Sequence, residues 1–205
     1  MAYFQLQLAE AELQQLAEKY WQEAGERERQ LEAAAYEAGE SIRAGEYTLQ
    51  NLETIVRWKS ERMVHYLIGN SNESIEAALA VAASPKASTE DAVNALVSLR
   101  GVDIGIASAV LTAIYPDRYA VLDYRALEAL GHARHDVKFY AEYNAALRHL
   151  AECGMVKAQK DLPAPTALHA LERALWQWSR THEEEMSLVG TYATGDAAGG
   201  LKSGS

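Results

Sequence analysis

Two apolar helical segments joined by a five-residue turn limit what this chain can build. From Leu96 to Arg125 it runs LVSLRGVDIGIASAVLTAIYPDRYAVLDYR. An apolar helix end (Leu96, Val97, Leu99) meets a tight turn at Gly101-Val102-Asp103-Ile104-Gly105, and a small-residue helix follows from Ile106 to Ile114. A loop containing Pro116 comes next, and Asp123 stands among Ala120, Val121 and Leu122. Glycine at 101 and 105 lets the backbone come close to an external partner that a side chain would hold away. The free N–H groups opening the second helix favour an anion such as a phosphate. The order is helix, hairpin, helix, with one carboxylate delivered just beyond.

Around that stretch the chain is alanine- and leucine-rich, with 13 glycines and 4 prolines gathered at a few breaks, so an all-α fold is expected. Its 205 residues, about half of them apolar, can bury one sizeable core. No apolar run reaches the roughly 20 residues that span a bilayer, and the start MAYFQLQLAE lacks a signal-peptide charge pattern. A cytoplasmic protein with no membrane partner is expected. The single Cys153 excludes an internal disulfide and any four-cysteine zinc or iron–sulfur site. His132 and His135 share a polar loop without a second ligand set nearby, so neither a metal nor another cofactor is expected.

The net charge of −10 argues against a general affinity for phosphate. Its distribution matters more. Residues 1–40 carry nine acids and three bases, residues 181–205 four acids and one base, and the middle sixteen acids and fifteen bases. The near-neutral middle can present a local basic face with salt-sensitive affinity, and the acidic ends could engage a protein partner. Three regions are expected: an acidic N-terminal helix over 1–40, a helical domain over 41–182, and a disordered Gly/Ser/Ala-rich tail over 183–205.

In chain order, residues 5–38 show one long helical pattern (Leu6, Leu13, Leu16, Tyr20, Leu31, Tyr36), after which Gly39 and Gly45 punctuate. Residues 48–68 form an amphipathic helix with Leu49, Leu52, Ile55 and Val56 inward and a polar break around Trp58-Lys59-Ser60-Glu61-Arg62. Ser71 or Asn72 caps a short helix over 73–83, and Ser88 or Thr89 caps the one that leads into the turn. A helix from Tyr124 to about Leu130 makes Asp123 a natural N-cap, with Gly131 closing it. Tyr140, Tyr143, Leu147 and Leu150 form the packing stripe of the next helix, and Leu168, Leu171, Leu175 and Trp178 that of the last, Thr166–Arg180.

Leu99, Gly101, Val102, Ala107 and Asp123 together resemble the hairpin and catalytic segment of the helix-hairpin-helix DNA glycosylase superfamily. Its pattern is Leu-x-Gly-Val-Gly-x-x-x-Ala, an apolar helix, then Val-Asp near a helix start. Asp103 replaces the second hairpin glycine, and Gly105 and Asn94 occupy the places where bifunctional members carry a lysine. The resemblance implies a two-lobed, all-α DNA glycosylase-like fold and DNA as partner. It also implies a monofunctional N-glycosylase without Schiff-base chemistry, in which Asp123 is catalytic and Gly101, Val102, Asp103, Gly105 and Ala107 hold the DNA backbone. By position, Trp58, Lys59 and Arg62 would wedge or stack where a base is extruded. Tyr140 or Tyr143 could line its pocket.

Bland readings stand beside these: Asp123 as a helix cap, Trp58 buried with Lys59 and Arg62 paired to acids, the tyrosines as core. A non-catalytic nucleic-acid binder and a protein-interaction module that reuses the fold remain open as alternatives.

Overall fold

Six consecutive helix starts carry an oxygen-bearing side chain just before the first turn, and the computed structural model uses all six. Asn51 N–H donates to Thr48 Oγ1 (3.2 Å), Ser74 N–H to Ser71 Oγ (3.2 Å) and Asp91 N–H to Ser88 Oγ (3.0 Å). Ile106 N–H donates to Asp103 Oδ1 (2.8 Å), Ala126 N–H to Asp123 Oδ1 (3.0 Å) and Phe139 N–H to Asp136 Oδ1 (2.9 Å). Each cap satisfies one of the amides a helix start leaves open and is worth about 1 kcal/mol.

The structure describes residues 4–133, 136–160 and 162–195, with residues 184–195 as backbone alone. The helices are α1 (Leu13–Glu23), α2 (Glu26–Arg43), α3 (Leu49–Ser60), α4 (Asn72–Ala82), α5 (Thr89–Val97), α6 (Ile104–Ile114), α7 (Tyr124–Ala129), α8 (Val137–Glu152) and α9 (Ala167–Gly195), with 3-10 segments at Glu10–Glu12 and Glu61–Leu67. The fold is all-α, and no strand occurs among the described residues. None of the described helices is long and apolar enough to cross a membrane.

Helix α6 is the centre. Every residue from Ile106 to Ile114 is buried, and α2, α3 and α5 pack around it. Its alanines allow close crossing. A Cβ at Gly39 would lie 2.1 Å from the carbonyl oxygen of Ala113. Gly39 is therefore the contact point of α2 on α6 and does not punctuate the chain. Leu52, Ile55 and Val56 of α3 are fully buried against this core, each worth roughly 1.5–3 kcal/mol.

The N-terminal region differs from its expected form. The helical pattern breaks at Ala24-Gly25, where Gly25 N–H donates to Glu28 Oε2 (2.7 Å). The expected boundary between residues 40 and 41 falls inside α2, which packs on α3 and α6 while α1 packs on α9. Periodicity over the Glu-rich face is too weak to reveal that these helices share the core. At the other end α9 passes the expected stop at Arg180 and continues to Gly195. Residues 196–205 of the expected tail, and His135, lie outside the described residues.

Candidate functional site: a cleft around Asp123

After a turn at Pro116–Arg118, Tyr119 to Leu122 run buried into α7, and their peptide groups are held by side chains. Ala120 N–H donates to Asn144 Oδ1 (2.9 Å), Val121 N–H to Glu172 Oε2 (3.3 Å) and Leu122 N–H to Ser108 Oγ (2.8 Å). Tyr140 Oη donates to Ala120 O (3.1 Å) and Tyr143 Oη to Val121 O (2.9 Å). Three helices, α6, α8 and α9, thus hold three residues in place of a sheet partner. A buried peptide group without such partners costs about 1–3 kcal/mol, so this segment is firmly held. It stops at Asp123.

Asp123 makes two contacts with different consequences. Oδ1 caps α7, while Oδ2 meets Lys59 Nζ at 3.1 Å, delivered by the last turn of α3. Both side chains are about one-fifth exposed, 18% for Asp123 and 19% for Lys59. They open on a cleft of about 980 Å³. Its walls bring together Trp58, Lys59 and Arg62 with Asp103, Gly105 and Asp123. Lys59, Arg62, Arg125, Arg173 and Arg180 line it against the carboxylates Glu28, Asp103, Asp123 and Glu172. Five cations against four carboxylates give the cleft a slight positive excess on a chain whose net charge is −10. Tyr20 and Trp176 meet edge to face at 5.3 Å on one wall, and Arg125 lies over Trp176 at 5.2 Å. On the other wall Trp58, half-buried, packs against Tyr36 at 5.6 Å. Arg62 is exposed and forms no ion pair among the described residues.

Several expected roles change. Tyr140 and Tyr143 do not reach the cleft. Both are fully buried, and burial, with Glu172 and Asp123 adding to it at Tyr143, pushes both phenols up from their ordinary values. They position the segment that carries Asp123. Val102 and Ala107 are core residues, and their amides already donate to Leu99 O and Asp103 O. Gly101, at φ +81°, approaches the protein itself, since a Cβ there would lie 2.7 Å from Tyr66 Cβ. The amide of Ile106, expected to greet an anion, already donates to Asp103 Oδ1. A carboxylate therefore occupies part of the expected phosphate seat. At Gly105 a side chain would meet Asp103 Oδ1 at 3.3 Å and Leu122 O at 3.5 Å.

A buried ionic cluster at the back of the cleft escaped the sequence reading. His169 Nδ1 lies 3.1 Å from Glu172 Oε2, and its Nε2 lies 3.2 Å from Glu32 Oε1 and 2.8 Å from Tyr36 Oη. Arg173 also bonds Glu32. Burial alone would raise the Glu32 carboxyl, but hydrogen bonds and charge from His169 and Arg173 outweigh it and hold it below its ordinary value. The signal was present: Glu32 shares one face of α2 with Ala35, Tyr36 and Gly39, all buried, and a charge on an apolar stripe needs a partner. Among the described residues no three His, Cys, Asp or Glu side chains gather as a metal site. Family models, curated proteins and solved structures contain no match to this chain.

Proposed function

We propose that this protein is a monofunctional DNA N-glycosylase, of two-lobed helix-hairpin-helix type, that releases a damaged or modified base from an everted nucleotide. The observation that carries the reading is the place of Asp123. It is a helix-capping carboxylate at the end of a firmly held segment, facing a cleft of about 980 Å³ with aromatic walls. Breaking an N-glycosidic bond builds positive charge at C1′, and a fixed carboxylate stabilises that charge and takes the proton of the attacking water. Trp58 offers a π-face to a base, a contact worth about 1–3 kcal/mol. With Ile106 N–H taken by Asp103, the exposed Arg62 supplies the charge that meets a phosphate. Paired with Asp123, Lys59 serves as a counter-ion and not as an imine-forming amine.

The test is a panel of duplexes, each bearing one damaged or modified base, incubated with wild type and Asp123→Asn. Base release by wild type and none by the variant, with binding kept or strengthened, is the expected result; equal release by both removes Asp123 from the mechanism. Borohydride with an abasic duplex should trap no covalent adduct, and an adduct would make the enzyme bifunctional. One observation favours a second reading. The Lys59–Asp123 pair at 3.1 Å is what a non-catalytic nucleic-acid-binding or interaction module would also contain. Binding to an abasic-analogue duplex at low salt without release of any base would select the nucleic-acid binder. Absence of binding would leave the interaction module.

A further inference from the structure

Two exposed tyrosines stand at the cleft, Tyr124 on its wall and Tyr66 one turn beyond it. A single exposed apolar residue needs no explanation. Here, however, Val97 and Tyr124 are both exposed and both line the cleft, and Tyr124 directly follows Asp123. Arg125 lies over the Tyr124 ring at 5.0 Å, yet 57% of the tyrosine remains exposed.

The 3-10 segment Glu61–Leu67 leads on from the cleft. Three residues make one turn of such a helix, so side chains at i and i+3 align. Arg62 and Met63 line the cleft, and one turn on, in the same two rows, come His65 and Tyr66, whose rings meet at 3.9 Å. Tyr66 is 51% exposed. This segment is fixed to the glycine turn. Asn70 Nδ2 donates to Arg100 O (3.0 Å), Arg100 N–H donates to Asn70 Oδ1 (2.8 Å), and Gly101 closes on Tyr66 Cβ. Residues 62–72 and 92–102, joined in this way, carry Arg62, His65 and Arg100 and no acid, on a chain of 29 acids and 19 bases. Arg62 and Arg100 are exposed and form no ion pair among the described residues.

Two such cations meet few phosphates. Affinity for paired DNA grows with the number of phosphates neutralised, and the amides of Val102, Ile106 and Ala107 at the glycine turn already donate within the protein. An unpaired strand needs less charge, because its bases stack on exposed aromatic rings, and a nucleotide that is already unpaired is everted at the least cost. We propose, on the glycosylase reading above, that the substrate is an unpaired stretch of DNA, either a single strand or a bubble. Tyr66 and Tyr124 stack the bases on either side of the everted nucleotide, and Arg62 and Arg100 meet phosphates of the same strand. Because Tyr124 adjoins Asp123, a base seated on its ring sets which nucleotide reaches the carboxylate.

The experiment measures binding of an oligonucleotide that carries a stable abasic analogue with 2-aminopurine on one side of it or the other, presented as a single strand, in a bubble and fully paired. The unpaired forms should bind at least about 10-fold more tightly than the paired one, with affinity falling as roughly the first to second power of salt concentration. Tyr66→Ala and Tyr124→Ala should each weaken strand binding about 10-fold and abolish the quenching of 2-aminopurine on one side only, while the phenylalanine variants keep both. Tyr66→Ala retains the Cβ on which Gly101 closes, and Tyr124 is exposed, so both alanine variants should fold. Equal or tighter binding of the paired form, or alanine variants that bind like wild type, overturns the proposal and leaves the glycosylase reading to the base-release test. Preference for the unpaired strand with no base released from any modified strand upholds the surface and ends the catalytic reading. Binding to no form ends both.

Discussion

Asp103 and Asp123 do the same structural work and differ in everything else. Each opens a helix, and each accepts one backbone N–H three residues on, at 2.8 and 3.0 Å. Asp103 is exposed on a turn beside the cleft. Asp123 is mostly buried, ends a segment held by α6, α8 and α9, and has Lys59 on its second oxygen. Capping is a local property that either residue satisfies; a reactive role needs the second oxygen to be held and the surroundings to be rigid. Only Asp123 has both.

The largest expected effect tests that contrast directly. Asp123→Asn keeps the cap, because Asn caps as well as Asp, yet should lower base release by roughly 10²–10⁴-fold with a melting temperature close to wild type. Loss of stability in proportion to activity would return Asp123 to the structural role of Asp103.

Next in size is the cluster that backs the Asp123 segment. Glu32→Gln leaves Arg173 and His169 buried without their shared carboxylate and should cost about 3–5 kcal/mol in chemical denaturation; a cost below about 1 kcal/mol would mean the cluster is solvated. Because Glu32 is held below its ordinary pKa, its contribution is complete above the usual carboxylate range and is lost as pH falls through its folded-state value. Wild type should therefore lose stability on acidification more steeply than Glu32→Gln, read as the change in denaturation midpoint from neutral pH downward.

Tyr143→Phe strips the donor from Val121 O and should cost about 1–3 kcal/mol, with a fall in turnover and little change in substrate binding. Unchanged turnover would show that the segment is held well enough by Asn144 and Ser108. The smallest effect belongs to the exposed partner in the comparison. Asp103→Asn keeps the cap and removes a charge beside the cleft, so duplex binding at low salt should strengthen by about one monovalent contact. A binding assay at two salt concentrations reads it, and weaker binding would mean that Asp103 itself contacts the ligand.

Much of the local architecture was legible. Ser71, Ser88 and Asp123 mark helix starts because a cap and the amide it satisfies lie within four residues of each other, and the structure adds Thr48, Asp103 and Asp136 to them. Lys59 and Asp123 were each visible, but their meeting was not, since 64 positions separate them. Tyr140 and Tyr143 illustrate the opposite error: an aromatic pair suited to a base pocket turned inward because the buried carbonyls of Ala120 and Val121 needed donors.

By itself the order of residues determined that this chain is helical, where most helices begin, and which acid stands at the head of a helix beyond the glycine turn. These outcomes depend on interactions within a few residues, which composition and spacing encode directly. Tertiary packing alone decided that Glu32, His169, Glu172 and Arg173 share one buried cluster, that Lys59 faces Asp123, and that the acidic first helices complete the core. Such contacts join residues as much as 141 positions apart, and the helical period says which face is apolar without naming the helix it will meet.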